Sequence, residues 1–148
     1  YEDVIACCNI ILEHDSNDTW TFNSLGLSLN ELDRHTEAIK FYDKVLKIDS
    51  KDITALMNKA ISLNHLKNYK ESIEFYDKAQ IEDSSLNEAS IAKSKAFEKL
   101  GMGDEAFLSA QGVLVKDMAK IITDANKNKC SVFHQYCQNE FDELSNKK

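Results

Sequence analysis

Apolar residues recur along this chain at the spacing of one helix face. Between positions 53 and 80, Leu56, Ala60 and Leu63 stand at i, i+4 and i+7, and Tyr69, Ile73, Tyr76 and Ala79 follow the same period among polar neighbours. The pattern predicts two amphipathic helices joined by a short polar connector around Asn68. The same pair is then written again on either side. Phe41-Tyr42-Asp43-Lys44 returns as Phe75-Tyr76-Asp77-Lys78, 34 positions later. At that offset Leu29, Leu63 and Phe97 align, as do Leu32, Leu66 and Leu100, and Ile39, Ile73 and Phe107. A fixed period of this length marks stacked supersecondary units, here at 19–52, 53–86 and 87–118. Ile5, Ile11 and Leu12 fall one period before Ile39, Val45 and Leu46. Residues 1–18 therefore read as the second helix of a truncated unit, with further helices or a targeting segment expected upstream of Tyr1.

The punctuation between helices has the same period. Asp15, Asp49, Asp83 and Asp117 recur just ahead of the expected helix starts, where a carboxylate accepts from first-turn amides and favours the positive end of the helix dipole. Gly101-Met102-Gly103 forms the connector inside the third unit. Small residues occupy two fixed places, Gly26, Ala60 and Ser94 on the first helices and Ala38, Ser72 and Ala106 on the second. Two antiparallel helices approach closely only where neither carries a bulky side chain, so these positions predict the crossing point of a hairpin.

Over residues 1–118 the chain resembles the tetratricopeptide repeat family, whose unit is also 34 residues long. Phe22, Leu25-Gly26, Leu29, Ala38, Tyr42 and Val45 hold the places where that family favours a large apolar residue, Leu-Gly, an aromatic, Ala, an aromatic and Ala. Lys59 and Lys93 stand where Leu is usual, Ala110 where an aromatic is usual, and Ser50 and Ser84 where Pro is usual; these departures are expected to weaken individual repeats. The resemblance implies an all-α fold, a right-handed superhelical solenoid of antiparallel helix pairs whose first helices line a concave groove. Stacking is expected on physical grounds as well, because a lone hairpin cannot bury its apolar face.

The groove residues follow from the helix faces that packing leaves over. They are Trp20, Asn23, Leu27 and Asn30 of the first unit, Met57, Asn58, Ile61 and His65 of the second, and Ile91 and Lys95 of the third. A solvated face would be more polar; apolar side chains beside amides suit a docked amphipathic helix or extended peptide. Members of the resembled family that capture chaperone C-terminal carboxylates use Lys, Asn and Arg at places that here hold Asn23, Leu27, Asn58, Glu88 and Ala92. Only Asn58 fits, and Glu88 would repel the carboxylate. The expected function is a protein–protein interaction scaffold holding a partner's peptide or helix, and the alternative is a self-assembly module.

Composition removes other classes. Proline is absent and Gly occurs four times, which favours helix throughout. With 43% hydrophobic residues and no apolar run near 18 residues, the chain is expected to fold as a soluble protein without membrane insertion. Twenty-five acidic against 18 basic residues leave a net charge of −7, which argues against nucleic acid. Four cysteines, two of them adjacent, do not form a disulfide framework; reduced thiols and a cytoplasmic setting are expected.

Beyond Asp117 the period stops, and Asn126-Lys127-Asn128-Lys129 reads as a break. Met118 and Ile122 would extend the helix before it. Val132, Phe133, Tyr136, Cys137, Phe141 and Leu144 then give one more amphipathic helix, so 119–148 is read as a capping segment that alternatively occupies the groove or pairs with another copy. Cys130, His134 and Cys137 share a helix face, but a structural zinc site needs a fourth ligand, and no metal or other cofactor is expected. No nucleophile is paired with a histidine by spacing and no phosphate-binding glycine loop occurs, so the chain is not expected to be an enzyme.

Overall fold

The computed structural model describes residues 1–14 and 16–147. Among them the chain forms nine helices and no strand: α1 (Glu2–His14), α2 (Thr19–Glu31), α3 (His35–Ile48), α4 (Ile53–His65), α5 (Tyr69–Glu82), α6 (Asn87–Lys99), α7 (Gly103–Ala110), α8 (Val115–Asn128) and α9 (Val132–Asn146). The pairs α2–α3, α4–α5 and α6–α7 are antiparallel hairpins, each packed on the next, in a right-handed α-solenoid. Helix α1 packs on α2, and α8 and α9 close the other end.

Each hairpin closes over the small residues. Ala38, Ala60 and Ala106 are buried, and Ser72 Oγ donates to the Ala60 carbonyl at 2.9 Å across the α4–α5 crossing. A Cβ placed on Gly26 would clash with the buried Tyr42 ring, so the first crossing admits no larger residue there. The aromatics of the repeated motif, Tyr42 and Tyr76, are sealed in the core with Val45 and Ala79 behind them.

The turns inside the units repeat as regularly as the helices. Asp33, Lys67 and Gly101, spaced by 34, each adopt a positive φ of 57°, 60° and 74°. Each is followed by an amide that reaches back to the helix, Arg34 to Leu29, Asn68 to Leu63 and Met102 to Phe97, at 2.9 to 3.0 Å. This left-handed stop satisfies the last carbonyls of α2, α4 and α6 and turns the chain sharply into the second helix. Only the third position carries the glycine that makes it strain-free.

The acidic residues between units act one turn later than expected. Asp18 and Asp52 are the N-caps of α2 and α4, with Asp52 Oδ1 accepting from Ala55 N at 2.7 Å. Asp49 and Asp83 instead end α3 and α5, their carboxylates accepting from Lys51 N and Ser85 N at 2.9 Å. Asp117 lies within the first turn of α8, and Asp15 lies outside the described residues.

Lys59 and Lys93, at the places where Leu is usual, are drawn into the stack as ion-paired side chains. Lys93 is 0% exposed, and its Nζ donates to Asp77 Oδ1 at 2.7 Å, Gln80 Oε1 at 2.7 Å and the Val113 carbonyl at 3.1 Å. Lys59 Nζ meets Asp43 Oδ1 at 2.6 Å and sits 4.0 Å from the Phe75 ring centroid. Each lysine thus reaches back to the aspartate of the preceding unit's Phe-Tyr-Asp-Lys motif and fixes how the next first helix docks. All three ammonium donors of Lys93 are used, as a buried charge requires.

The same cluster explains a departure at the third unit. Helix α7 ends at Ala110, and Gly112 at φ +81° starts a turn in which Val113 N donates to Leu108 O. Gln80 Nε2 donates to the Gly112 carbonyl at 3.0 Å, and Asp77 Oδ1 accepts from Val115 N at 3.0 Å. The turn is held by α5, more than 30 residues away, so Met118 and Ile122 belong to the separate helix α8 and do not extend α7. Helix α8 runs through position 118.

At the C-terminal end, Met118, Ala125 and Val132 join Ile73, Ala96, Phe97 and Leu108 in one apolar cluster. Helix α9 packs on α8 and α7, with Phe107 meeting Phe133 and Tyr136 edge-on at 5.7 and 6.0 Å. Of the placements expected for 119–148, a cap with groove filling or self-pairing as alternatives, the structure has α9 at the end of the stack: its buried face, Val132, Gln135 and Tyr136, is turned to α7 and α8, and Cys137, Phe141 and Leu144 are exposed.

Candidate functional site

The first helices α2, α4 and α6 lie side by side and carry three shallow depressions. The first, about 410 Å³, is bordered by Trp20, Asn23, Ser24 and Leu27 on α2 and by Asp52, Thr54 and Asn58 at the start of α4. The second, about 310 Å³, shares Leu27 and Asn58 with it and adds Asn30, Glu31, Asp33, His35, Ile61 and His65. The third, also about 310 Å³, shares Ile61 and His65 with the second and reaches Asn64, Tyr69, Lys95 and Lys99. The shared walls set the three depressions in one row across α2, α4 and α6, here called the groove.

Its apolar contribution comes from Trp20, Leu27 and Ile61, which are 69%, 48% and 37% exposed. Helix periodicity places Leu27 seven residues after Trp20, on one face of α2. Ile61 is presented by the equivalent face of α4, one period after Leu27. The opposite faces of both helices are sealed by Phe22, Leu25, Leu56 and Leu63, so the exposed side chains stand on a rigid floor.

The amides have divided roles. Asn30 is a junction of the stack: its Oδ1 accepts from Ser62 Oγ at 2.8 Å and lies 3.0 Å from His35 Nδ1, and its Nδ2 donates to the Tyr42 hydroxyl at 3.3 Å. Asn23 Nδ2 donates to Asp52 Oδ1 at 3.4 Å, tying the groove wall to the N-cap of α4, while Asn23 Oδ1 is buried without a hydrogen-bond partner among the described residues. Asn58 lines both of the first two depressions.

Between the second and third depressions, the rings of His35 and His65 stack at 4.5 Å with 17° between their planes. Burial and the neighbouring His65 ring lower the pKa of His35 below its ordinary 6.5, against a smaller opposing pull from Asp33. The His35 ring is therefore held toward its neutral form.

Two of the residues expected in the groove sit elsewhere. Met57 is half-buried and packs, as do Phe75, Leu86 and Ala92, against the buried cluster of Ala60, Tyr76 and Ala89. Ile91 is exposed on α6 but borders none of the three depressions. Asp33, His35, Asp52 and Tyr69 border the groove from turns and second helices, which a reading confined to the first helices misses. Gly101, two periods after Asp33, was the available signal for this turn, which folds the start of the second helix back over the end of the first.

Other candidate chemistry does not converge. Cys130 Sγ lies 3.7 Å from Gln135 Oε1 and Cys137 is exposed, and no three His, Cys, Asp or Glu side chains among the described residues are grouped to hold a metal ion. No helix among them is long and apolar enough to cross a membrane.

A tetratricopeptide repeat family model matches residues 21–52 and 53–80. The fold is similar to a crystal structure of MamA, with a TM-score of 0.72 at 19% identity over 80% of this chain and 65% of that one. A second MamA structure aligns with a TM-score of 0.65 at 16% identity, over 73% of this chain and 64% of that one. YrrB, described as a TPR protein with an unusual peptide-binding site, aligns with a TM-score of 0.64 at 21% identity, over 70% of this chain and 54% of YrrB. This chain thus spans less than two thirds of the length of these proteins. No curated protein sequence matches it. The two matched stretches coincide with the hairpins α2–α3 and α4–α5, in the phase that the 34-residue period sets, and over those residues the chain matches the tetratricopeptide repeat.

Proposed function

We propose that this protein is an interaction scaffold that holds a peptide or helix of a partner protein along the groove of α2, α4 and α6. The observation that carries this reading is the continuity of the three depressions through Leu27, Asn58, Ile61 and His65. Large exposed side chains standing on a packed floor of Phe22, Leu25, Leu56 and Leu63 need little reordering when a ligand arrives, so less conformational entropy is lost on the receptor side. The peptide-binding site of YrrB supports a peptide ligand here by analogy of fold.

The test uses peptides enriched from a random display library on the folded protein, with affinity read by fluorescence anisotropy. Leu27→Asp and Ile61→Asp each place a charge under the ligand and are expected to lower affinity at least about tenfold, with helicity and melting temperature nearly unchanged. Enriched peptides that bind both variants as well as the parent refute the groove. Loss of helicity with binding would show the two residues to be core.

A second reading rests on α9. Cys137, Phe141 and Leu144 form an exposed stripe with Phe133, on a helix whose other face is already packed. Self-association through this stripe predicts a concentration-dependent molar mass in light scattering, abolished by Phe141→Asp; a constant monomer mass refutes it.

A further inference from the structure

The charges around the groove are sorted by sign along its length. Carboxylates border the first two depressions, Asp52 in the first and Glu31 with Asp33 in the second. The third holds Lys95 and Lys99 and no carboxylate. Lys95 and Lys99 are exposed, one helical turn apart on α6, and neither joins an ion pair among the described residues. Asp33 Oδ1 lies 3.6 Å from His35 Nε2, and Glu31 accepts a hydrogen bond from the Tyr1 hydroxyl at 3.0 Å. The cationic end stands out in a chain of net charge −7. Between the ends lie Leu27 and Ile61.

Resting on the groove reading above, we propose that the partner segment is bipolar and bound in one direction: a Lys or Arg at the α2 end, apolar side chains over Leu27 and Ile61, and an Asp or Glu between Lys95 and Lys99. Neighbouring packed helices lie about 10 Å apart, which puts the two ends roughly 20 Å from each other. That distance exceeds the Debye length of about 8 Å at physiological salt, so each end reads its own charge and the two do not cancel. An extended chain advances about 3.3 Å per residue, which sets the opposite charges about six residues apart. A segment in the reverse direction brings like charges together at both ends, and this mismatch supplies selectivity beyond the apolar contacts.

The experiment uses the same display-enriched peptides. Enrichment of opposite charges about six residues apart is expected. Lys95→Glu/Lys99→Glu lowers the affinity of such a peptide about tenfold at low salt, and replacing the peptide's acidic residue with Lys restores binding to that variant. Glu31→Lys/Asp33→Lys does the same with the peptide's basic residue exchanged for Glu. Peptides lost on Ile61→Asp but indifferent to both charge reversals overturn the bipolar assignment and leave the groove standing. If no enriched peptide is sensitive to Ile61→Asp, the groove reading falls and this inference with it.

Discussion

Replacing Lys93 with Met removes an ammonium from the centre of the joint between α5, α6 and the turn at 111–114, while keeping most of the side-chain volume. Three acceptors lose their donor: Asp77 Oδ1 at 2.7 Å, Gln80 Oε1 at 2.7 Å and Val113 O at 3.1 Å. The Asp77 side chain is 13% exposed and keeps one partner, Val115 N at 3.0 Å. Removing one member of a buried ion pair costs about 3–5 kcal/mol, mostly because the other charge is left in a poorly solvated place. The remaining amide and partial access to water put Lys93→Met near the lower end, about 3 kcal/mol. The period supplies an internal control, because Lys59 makes the equivalent contact with Asp43, whose side chain is 45% exposed. A pair half in water is worth about 1 kcal/mol or less, with a similar small addition from the Phe75 ring. Urea unfolding followed by circular dichroism at 222 nm reads the difference. At a slope of about 1.5 kcal/mol per molar, Lys93→Met shifts the midpoint by about 2 M and Lys59→Met by no more than about 1.3 M. Asp77→Asn added to Lys93→Met removes the stranded charge while leaving an acceptor for Val115 N, so the double variant recovers part of the loss. Equal shifts for the two lysine variants, or a double variant no better than the single, refute the reasoning.

Three further outcomes follow from the same geometry. Lys67→Gly relieves a left-handed residue at φ 60° and is expected to raise stability by about 0.5–1 kcal/mol in the same urea assay. His35 has a folded-state pKa below its ordinary 6.5, so the unfolded chain takes up the proton first; the stability it contributes is complete above about pH 6.5 and declines as pH falls from there toward the folded value. Urea midpoints at pH 7.5 and 5.5 should differ, and His35→Gln should reduce the difference. Ending the chain at Lys129 strips Val132 and Tyr136 from the cluster around Phe107 and costs about 2–4 kcal/mol. Peptide affinity should be unchanged because α9 lies away from the groove, and a marked gain would show that it obstructs the site.

The 34-residue offset, the helix faces and the small residues at each crossing were all legible in the amino-acid order. They express local backbone periodicity, which the chain writes directly as apolar spacing. Gly26 is an example: its smallness among Leu and Ser neighbours announces a close approach, and the buried Tyr42 ring is what approaches. The ion pairs were written in the same period, since Asp43 and Asp77 precede Lys59 and Lys93 by 16 positions each, but hydropathy alone ranks lysine as a surface residue.

Tertiary structure decided what became of chemically similar residues on the first helices. Met57 and Ile61 are both apolar and four positions apart on α4, yet the side chains of the following hairpin cover the first and leave the second in the groove. Asn30 and Asn58 are both amides bordering the second depression, and only Asn30 is taken up by Tyr42, His35 and Ser62. The end of α7 was likewise settled from outside, by Gln80 and Asp77 gripping the turn at Gly112 and Val115. Periodicity is a property of neighbours along the chain, and it was complete in the sequence. Burial, charge pairing and the sorting of charge along the groove belong to residues far apart in the chain, and they exist only once the helices are docked at a particular angle and register.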